Sequence, residues 1–241
     1  MTERGVQTIG VDPAAPRPEV GFRLHTPDSW LTLDLDPAGS DQWIERVLDE
    51  RIAEHPEAAR HRGQMRRILQ SLIEQQRAAG VFLAAILAAG SRPAELIGAN
   101  LALSWVQLAS APDEVSWLAR HFAAEELADG EFAEMRTVDL VDLPAGPAVR
   151  IRTSLLAPVP ETSRRQRVAV TQVVVPVPDS RWLGVLVVTT PNLGLAEVFT
   201  RLAEEVAQSL RFLDPQTAAP AAPAPPAGSP LGTIGYLPPS S

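Results

Sequence analysis

The run from Asp34 through Asp36 and Gly39 to Glu45 places oxygens and a glycine at positions one, three, six and twelve of a calcium loop. There, carboxylates and a sharp turn would surround a hard cation. Position five is Ala38, which brings no side-chain oxygen, and the run follows a strand-like segment where a calcium loop follows a helix. It reads instead as a strand end, a Pro-Gly turn and a helix start, and no metal site is assigned. His25, His55, His61 and His121 include no i, i+4 pair that could aim two imidazoles at one ion, so they read as surface or turn residues. Glu125, Glu126, Asp139 and Asp142 could furnish paired carboxylates for acid-base work, but surface solvation accounts for them. Arg60, Arg62, Arg66 and Arg67 could grip a phosphate or an acidic partner; with Glu54 and Glu57 close by they read as a solvated helix face. The five tryptophans, at 30, 43, 105, 117 and 182, fall on predicted elements and read as packing groups. No phosphate loop, dinucleotide fingerprint, nucleophile elbow or zinc-protease motif occurs, so no catalytic residue and no cofactor is assigned, and the chain reads as a non-enzyme.

Composition narrows the classes further. The 241 residues contain no cysteine, which excludes a disulfide framework, a thiolate metal site and a thiol nucleophile. All 21 basic residues are arginine, so no lysine is present to form a Schiff base. A formal net charge of −8 argues against nucleic acid as a partner. The opening MTERGVQTIGVDPAAPRP lacks a basic segment followed by an apolar run, and no stretch reaches a membrane-spanning length. The expectation is a cytoplasmic protein without a membrane span.

The elements divide the chain into a flexible N-terminal segment over 1–18, a folded part over 19–213, a linker over 214–230 and a terminal peptide over 231–241. GFRLHT and WLTLDLD flank Pro27-Asp28-Ser29 and predict a hairpin; PDSRWLGVL from Pro178 repeats the phrase and predicts a second. Ser40 is placed as the cap of a helix with Trp43, Val47, Leu48 and Ile52 on one face, and Pro56 opens another with Met65, Leu69, Leu72 and Ile73. VFLAAILAAG and ELIGANLALSWVQL read as strands, and Pro112-Asp113-Glu114 starts a helix through Val115, Leu118 and Phe122. Four strands follow, of which QRVAVTQVVVPVP and RWLGVLVVTTP are apolar on both parities and therefore central; in PAVRIRTSLLAP, Arg150 and Arg152 alternate with Val149 and Ile151, so one face is expected to meet core and the other water. A closing helix carries Leu195, Val198, Phe199, Leu202, Val206 and Leu210 as its stripe. The fold class expected is α+β, an antiparallel sheet with helices packed on its faces.

This order, with FRLHTPDSWLTLDLD and QVVVPVPDSRWLGVLVVTTPNL, resembles actinobacterial members of the PsbP-like α/β-sandwich group, which includes LpqN-type proteins. Those members are typically exported lipoproteins, whereas this sequence shows neither signal nor cysteine. The resemblance implies a non-enzymatic binding or accessory module.

The last 28 residues, DPQTAAPAAPAPPAGSPLGTIGYLPPSS, carry one charged residue, and their Pro/Ala composition predicts a disordered linker. After it come Leu231, Ile234, Gly235, Tyr236 and Leu237, a partner-binding candidate in which Tyr236 is the sole tyrosine of the chain. Thr233 to Leu237 resembles the C-terminal targeting peptide of encapsulin cargo proteins, whose hydrophobic-Gly-x-Leu core docks on the inner shell wall. The basic residues often found after that core are missing, and Gln7-Thr8-Ile9-Gly10 reads similarly. The leading expectation is a non-catalytic interaction or accessory module that binds a protein through its tail, an encapsulin shell or a secretion system being the named possibilities. The alternative is a small-ligand binder or enzyme with a site in the sheet concavity near Arg150 and Arg152.

Overall fold

Burial along the first strand, β1 (Gly21–Pro27), alternates at its centre, with Phe22 and Leu24 inward and Arg23 and His25 less buried. The computed structural model describes residues 11–89, 97–110, 115–124, 135–158, 164–213 and 231–236. In chain order β1 is followed by β2 (Leu31–Thr32), α1 (Ser40–Glu54), a 3-10 turn (Pro56–His61), α2 (Arg62–Ala78), β3 (Val81–Ala89), β4 (Ile97–Gln107) and α3 (Val115–Ala124). Then come β5 (Met135–Leu143), β6 (Gly146–Pro158), β7 (Arg165–Pro176), β8 (Trp182–Thr190), α4 (Ala196–Ser209), β9 (Arg211–Leu213) and β10 (Leu231–Tyr236). The strands form a seven-stranded antiparallel sheet in the order β2-β3-β4-β8-β7-β6-β5 and a three-stranded sheet in the order β10-β1-β9. The α+β class and the antiparallel sheet with helices on its faces are as the sequence predicts. The two strands apolar on both parities, β7 and β8, sit centrally.

One face of the large sheet carries Leu83, Leu101, Leu103, Val173, Leu186 and Val188, and it is closed by Phe199, Ala203 and Val206 of α4 together with Phe22 and Leu24 of β1. Phe22, Phe82 and Trp105 meet edge to face at centroid distances of 5.1 to 6.4 Å, the arrangement that ring quadrupoles favour. The opposite face is covered in two places. The α1/α2 pair closes over Val81, Ala84 and Ala102 through Trp43, Ile44, Leu48, Leu69 and Ile73, whereas α3 closes over Val149, Ile151, Val174 and Leu183 through Leu118. Of the segment 1–18, residues 11–18 are described, with Ala15 buried and Val11 against the main core.

The repeated phrase makes a hairpin only once. After Pro178 the chain returns on itself: Val177 N–H donates to the Trp182 carbonyl at 2.9 Å, Asp179 takes a φ of 52°, and Pro176 faces Leu183. After Pro27 a turn also closes, with Trp30 N–H donating to the Pro27 carbonyl at 3.0 Å, yet β1 and β2 enter different sheets. The expected first hairpin is therefore a crossing between layers. The later copy has Arg181 between Ser and Trp, and one residue in a period-two chain reverses which way every following side chain points. Without it, Trp30 drops into the core against Phe199.

Three further local expectations change. Gly39, not Ser40, is the cap of α1, and Ser40 is buried as the first helical residue. The helix expected from Pro56 begins as a 3-10 turn before α2. On α4, Val198 is half exposed, and the buried stripe runs through Phe199, Thr200, Ala203, Val206 and Ala207. Val198 lies one position from Phe199, about 100° around the helix, which carries it off the sheet side.

Candidate functional site

Among the candidates set aside on sequence grounds, Asp34, Asp36 and Glu45 have structural roles, while Glu125 and Glu126 lie outside the described residues. Asp34 Oδ1 accepts from Asp36 N–H and Asp36 Oδ1 from Ala38 N–H, each at 3.0 Å, so both carboxylates serve the turn before α1. Glu45 is committed to Arg62 and Arg66 at 2.6 Å. Arg62 also reaches Asp49 at 2.6 Å, so these arginines clamp α2 onto α1. Arg62 is held above its usual range by hydrogen bonds to Asp49 and then Glu45.

Arg150 and Arg152 leave β6 on the α4 side of the sheet. The Arg150 guanidinium pairs with Asp139 on β5 at 2.9 Å and with Glu204 on α4; Arg152 pairs with Asp139 at 3.6 Å and Glu197 at 3.8 Å. The hydrogen bond to Asp139 is the main cause that raises Arg150 above its usual range, against the opposing cost of burial. This face was expected to meet water. It meets α4, whose acids neutralise both cations, and the recess left beside Arg150, Glu204 and Gln208 holds only about 100 Å³. Ligand cavities usually have several times that volume.

The opposite face is more open. Beside α3 an apolar groove of about 260 Å³ is walled by Val106, Trp117, Phe122 and Val185, with Gln172 among its few polar groups. Trp117 is 47 % exposed, unlike the buried Trp30, Trp43 and Trp105, and its ring stacks on His121 at 5.2 Å with planes 7° apart. No motif in the sequence marks this groove. Its signal was present in α3, where Trp117 and His121 stand i, i+4 off the Leu118/Phe122 stripe and so share a face that the core does not take.

The tail candidate lies at the small sheet. Leu231, Ile234, Gly235 and Tyr236 belong to β10, whose backbone pairs antiparallel with β1 from Phe22↔Tyr236 through Leu24↔Ile234 to Pro27↔Leu231. Leu237 and the expected linker 214–230 lie outside the described residues. On the other side of β1, Gly21 to Arg23 pair with β9, and His25 N–H donates to Ser209 Oγ at 2.8 Å. Arg23, His25, Glu205 and Arg211 line a shallow polar recess there. The His25 imidazole is held below its usual range by burial, and then by the neighbouring Arg23 and Arg211.

Among the described residues no three His, Asp or Glu side chains gather as metal ligands, and no helix is long and apolar enough to cross a membrane. No family model, curated protein or solved structure matches the chain.

Proposed function

We propose that the chain is a non-catalytic interaction module that offers its C-terminal segment to a protein partner, with Leu231, Ile234, Gly235, Tyr236 and Leu237 as the docking residues. The observation that carries this reading is the strand pairing of residues 231–236, which follows a run of Pro, Ala and polar residues. A segment that adds to a sheet edge through its backbone is suited to peptide recognition of the strand-addition kind. Apolar anchors of this size supply most of the affinity in such contacts. The resemblance to encapsulin cargo peptides makes a shell wall the narrower candidate partner, and a cytoplasmic setting and a PsbP-like scaffold belong to the same reading.

The test is a fusion of residues 226–241 to a fluorescent carrier, compared with the full chain for the partner each recovers. The same partner is expected from both, and Ile234→Asp with Leu237→Asp should abolish recovery. A partner that still binds protein truncated after Leu213 would overturn the tail reading. A partner other than a shell protein would remove the encapsulin reading alone.

A second reading has its own observation, the groove beside α3. A ligand with a flat apolar body and one hydrogen-bonding group would lie against Trp117 and reach the Gln172 amide. Titrating hydrophobic aromatic amides while following tryptophan emission tests it; Trp117→Ala should remove any saturable change.

A further inference from the structure

We propose that the outer edge of β1 is a strand-acceptor site, and that β10 is a resident occupant that exchanges with an extended peptide bearing an acidic side chain opposite Arg23. In an antiparallel pair each residue directs both its N–H and its carbonyl to the same neighbour, and successive residues alternate sides. His25 N–H points to Ser209, on the β9 side. Gly21 and Arg23 therefore face β9, while Phe22, Leu24 and Thr26 turn their backbone groups to β10. The register then makes Phe22↔Tyr236, Leu24↔Ile234 and Thr26↔Gly232 the hydrogen-bonded pairs, with Arg23↔Gly235, His25↔Thr233 and Pro27↔Leu231 the close non-bonded ones. Pro27 sits where its missing N–H is not needed by the ladder. The edge thus offers three donors and three acceptors in an unbroken series.

The occupant is weakly suited to its place. Two of its six residues, Gly232 and Gly235, are glycine, which packs nothing and gives up the most freedom on ordering. It is joined to β9 by the 17 residues Asp214 to Pro230, which reach about 56 Å when extended. Passing from Leu213, opposite Gly21, to Leu231, opposite Pro27, needs only about 22 Å. Nothing in the tether forces the pairing, and release leaves the segment at high local concentration. Among the described residues Arg23 has no carboxylate at ion-pair distance, and it faces Gly235, which has no side chain to offer it. Arg211 lies in the same recess. That recess holds two arginines against the single acid Glu205, and a peptide with glutamate at the position of Gly235 would bring a second carboxylate to Arg23 at a close cross-strand pair.

The experiment uses the full chain and a labelled peptide spanning residues 229–238, with a second peptide carrying glutamate in place of Gly235. Gly232→Pro removes a ladder N–H and spares the proposed docking anchors, so it should open the edge and bind the peptide at least ten-fold tighter than the native chain. The glutamate peptide should bind about two- to five-fold tighter still, an advantage lost in Arg23→Gln. Thr233→Pro, whose N–H points away from β1, should behave as the native chain. Because the chain has no cysteine, His25→Cys with Thr233→Cys gives a single disulfide at a close pair; the oxidised form should refuse the peptide and accept it no more strongly than the native chain after reduction. Failure of the Gly232→Pro chain to bind, equal binding by the oxidised form, or unfolding of Gly232→Pro would each overturn the proposal. The peptide assay at β1 contains no partner protein, so loss of the partner predicted above leaves this result intact, and the converse holds.

Discussion

Gly184 lacks a side chain where Trp105 needs the room: a Cβ built there would stand 2.9 Å from Trp105 Cζ3. Trp105 cannot move aside, since Phe22 and Phe82 are packed against it. Gly184→Ala should therefore cost about 1–3 kcal/mol by overpacking, read as a lower urea midpoint, whereas Gly194→Ala, with open space around it, should leave the midpoint unchanged. A second contrast is on α4. Phe199 is 6 % exposed and meets Trp30 edge to face, so Phe199→Ala should lose about 3–5 kcal/mol. Its neighbour Val198 is 50 % exposed, and Val198→Ala should change stability by less than about 0.5 kcal/mol. Equal melting of the two variants would reverse the orientation of the helix.

Between elements, polar contacts fix how α4 meets the sheet. Thr171 on β7 and Thr200 on α4 share a buried hydroxyl hydrogen bond at 2.9 Å. Thr171→Val alone strands the Thr200 hydroxyl and should cost about 1–3 kcal/mol; adding Thr200→Val should recover most of the loss, a coupling that a double-mutant cycle measures directly. The join of β1 to α4 carries a pH dependence. His25 titrates below its unfolded value because burial, Arg23 and Arg211 disfavour the imidazolium, with Glu205 the acid in the same recess. As pH falls below about 6.5 the unfolded chain takes up this proton before the folded one does, so stability should decline through that range and His25→Gln should flatten the decline. A stability curve that rises on acidification over the same range, and does so only with His25 present, would contradict this sign.

For the molecule as a whole, periodicity revealed most of the fold. Strands apolar on both parities had to be central, and β7 and β8 are. What pattern could not reveal was which layer a strand joins. The turns PDSW and PDSRW differ only by the inserted Arg181 and share one turn chemistry, whereas the partner of β1 comes from sequence nearly 190 residues away. The site was less legible for a similar reason. Arg150 looked like an open cationic face until α4 brought Glu204 to it, and the groove beside α3 exists only where two distant coverings leave sheet between them. Spacing marks the free face of α3 through Trp117 and His121, but not the stretch of sheet left open beside it.

That same separation has a consequence in time. β1 is finished when residue 27 leaves the ribosome, yet β9, its first strand partner, ends at Leu213. At usual rates of synthesis, Phe22 and Leu24 wait about ten to forty seconds before a neighbouring strand and α4 exist to cover them. The earliest apolar strand is thus the last to be closed in, and through that interval it is an unpaired edge of the kind that chaperones and misfolding compete for. Nascent chains stalled with residues up to 195 outside the ribosome should expose β1 to protease and to trigger-type chaperones, and chains stalled beyond 213 should protect it. Protection at the shorter length would mean that β1 finds a different early partner.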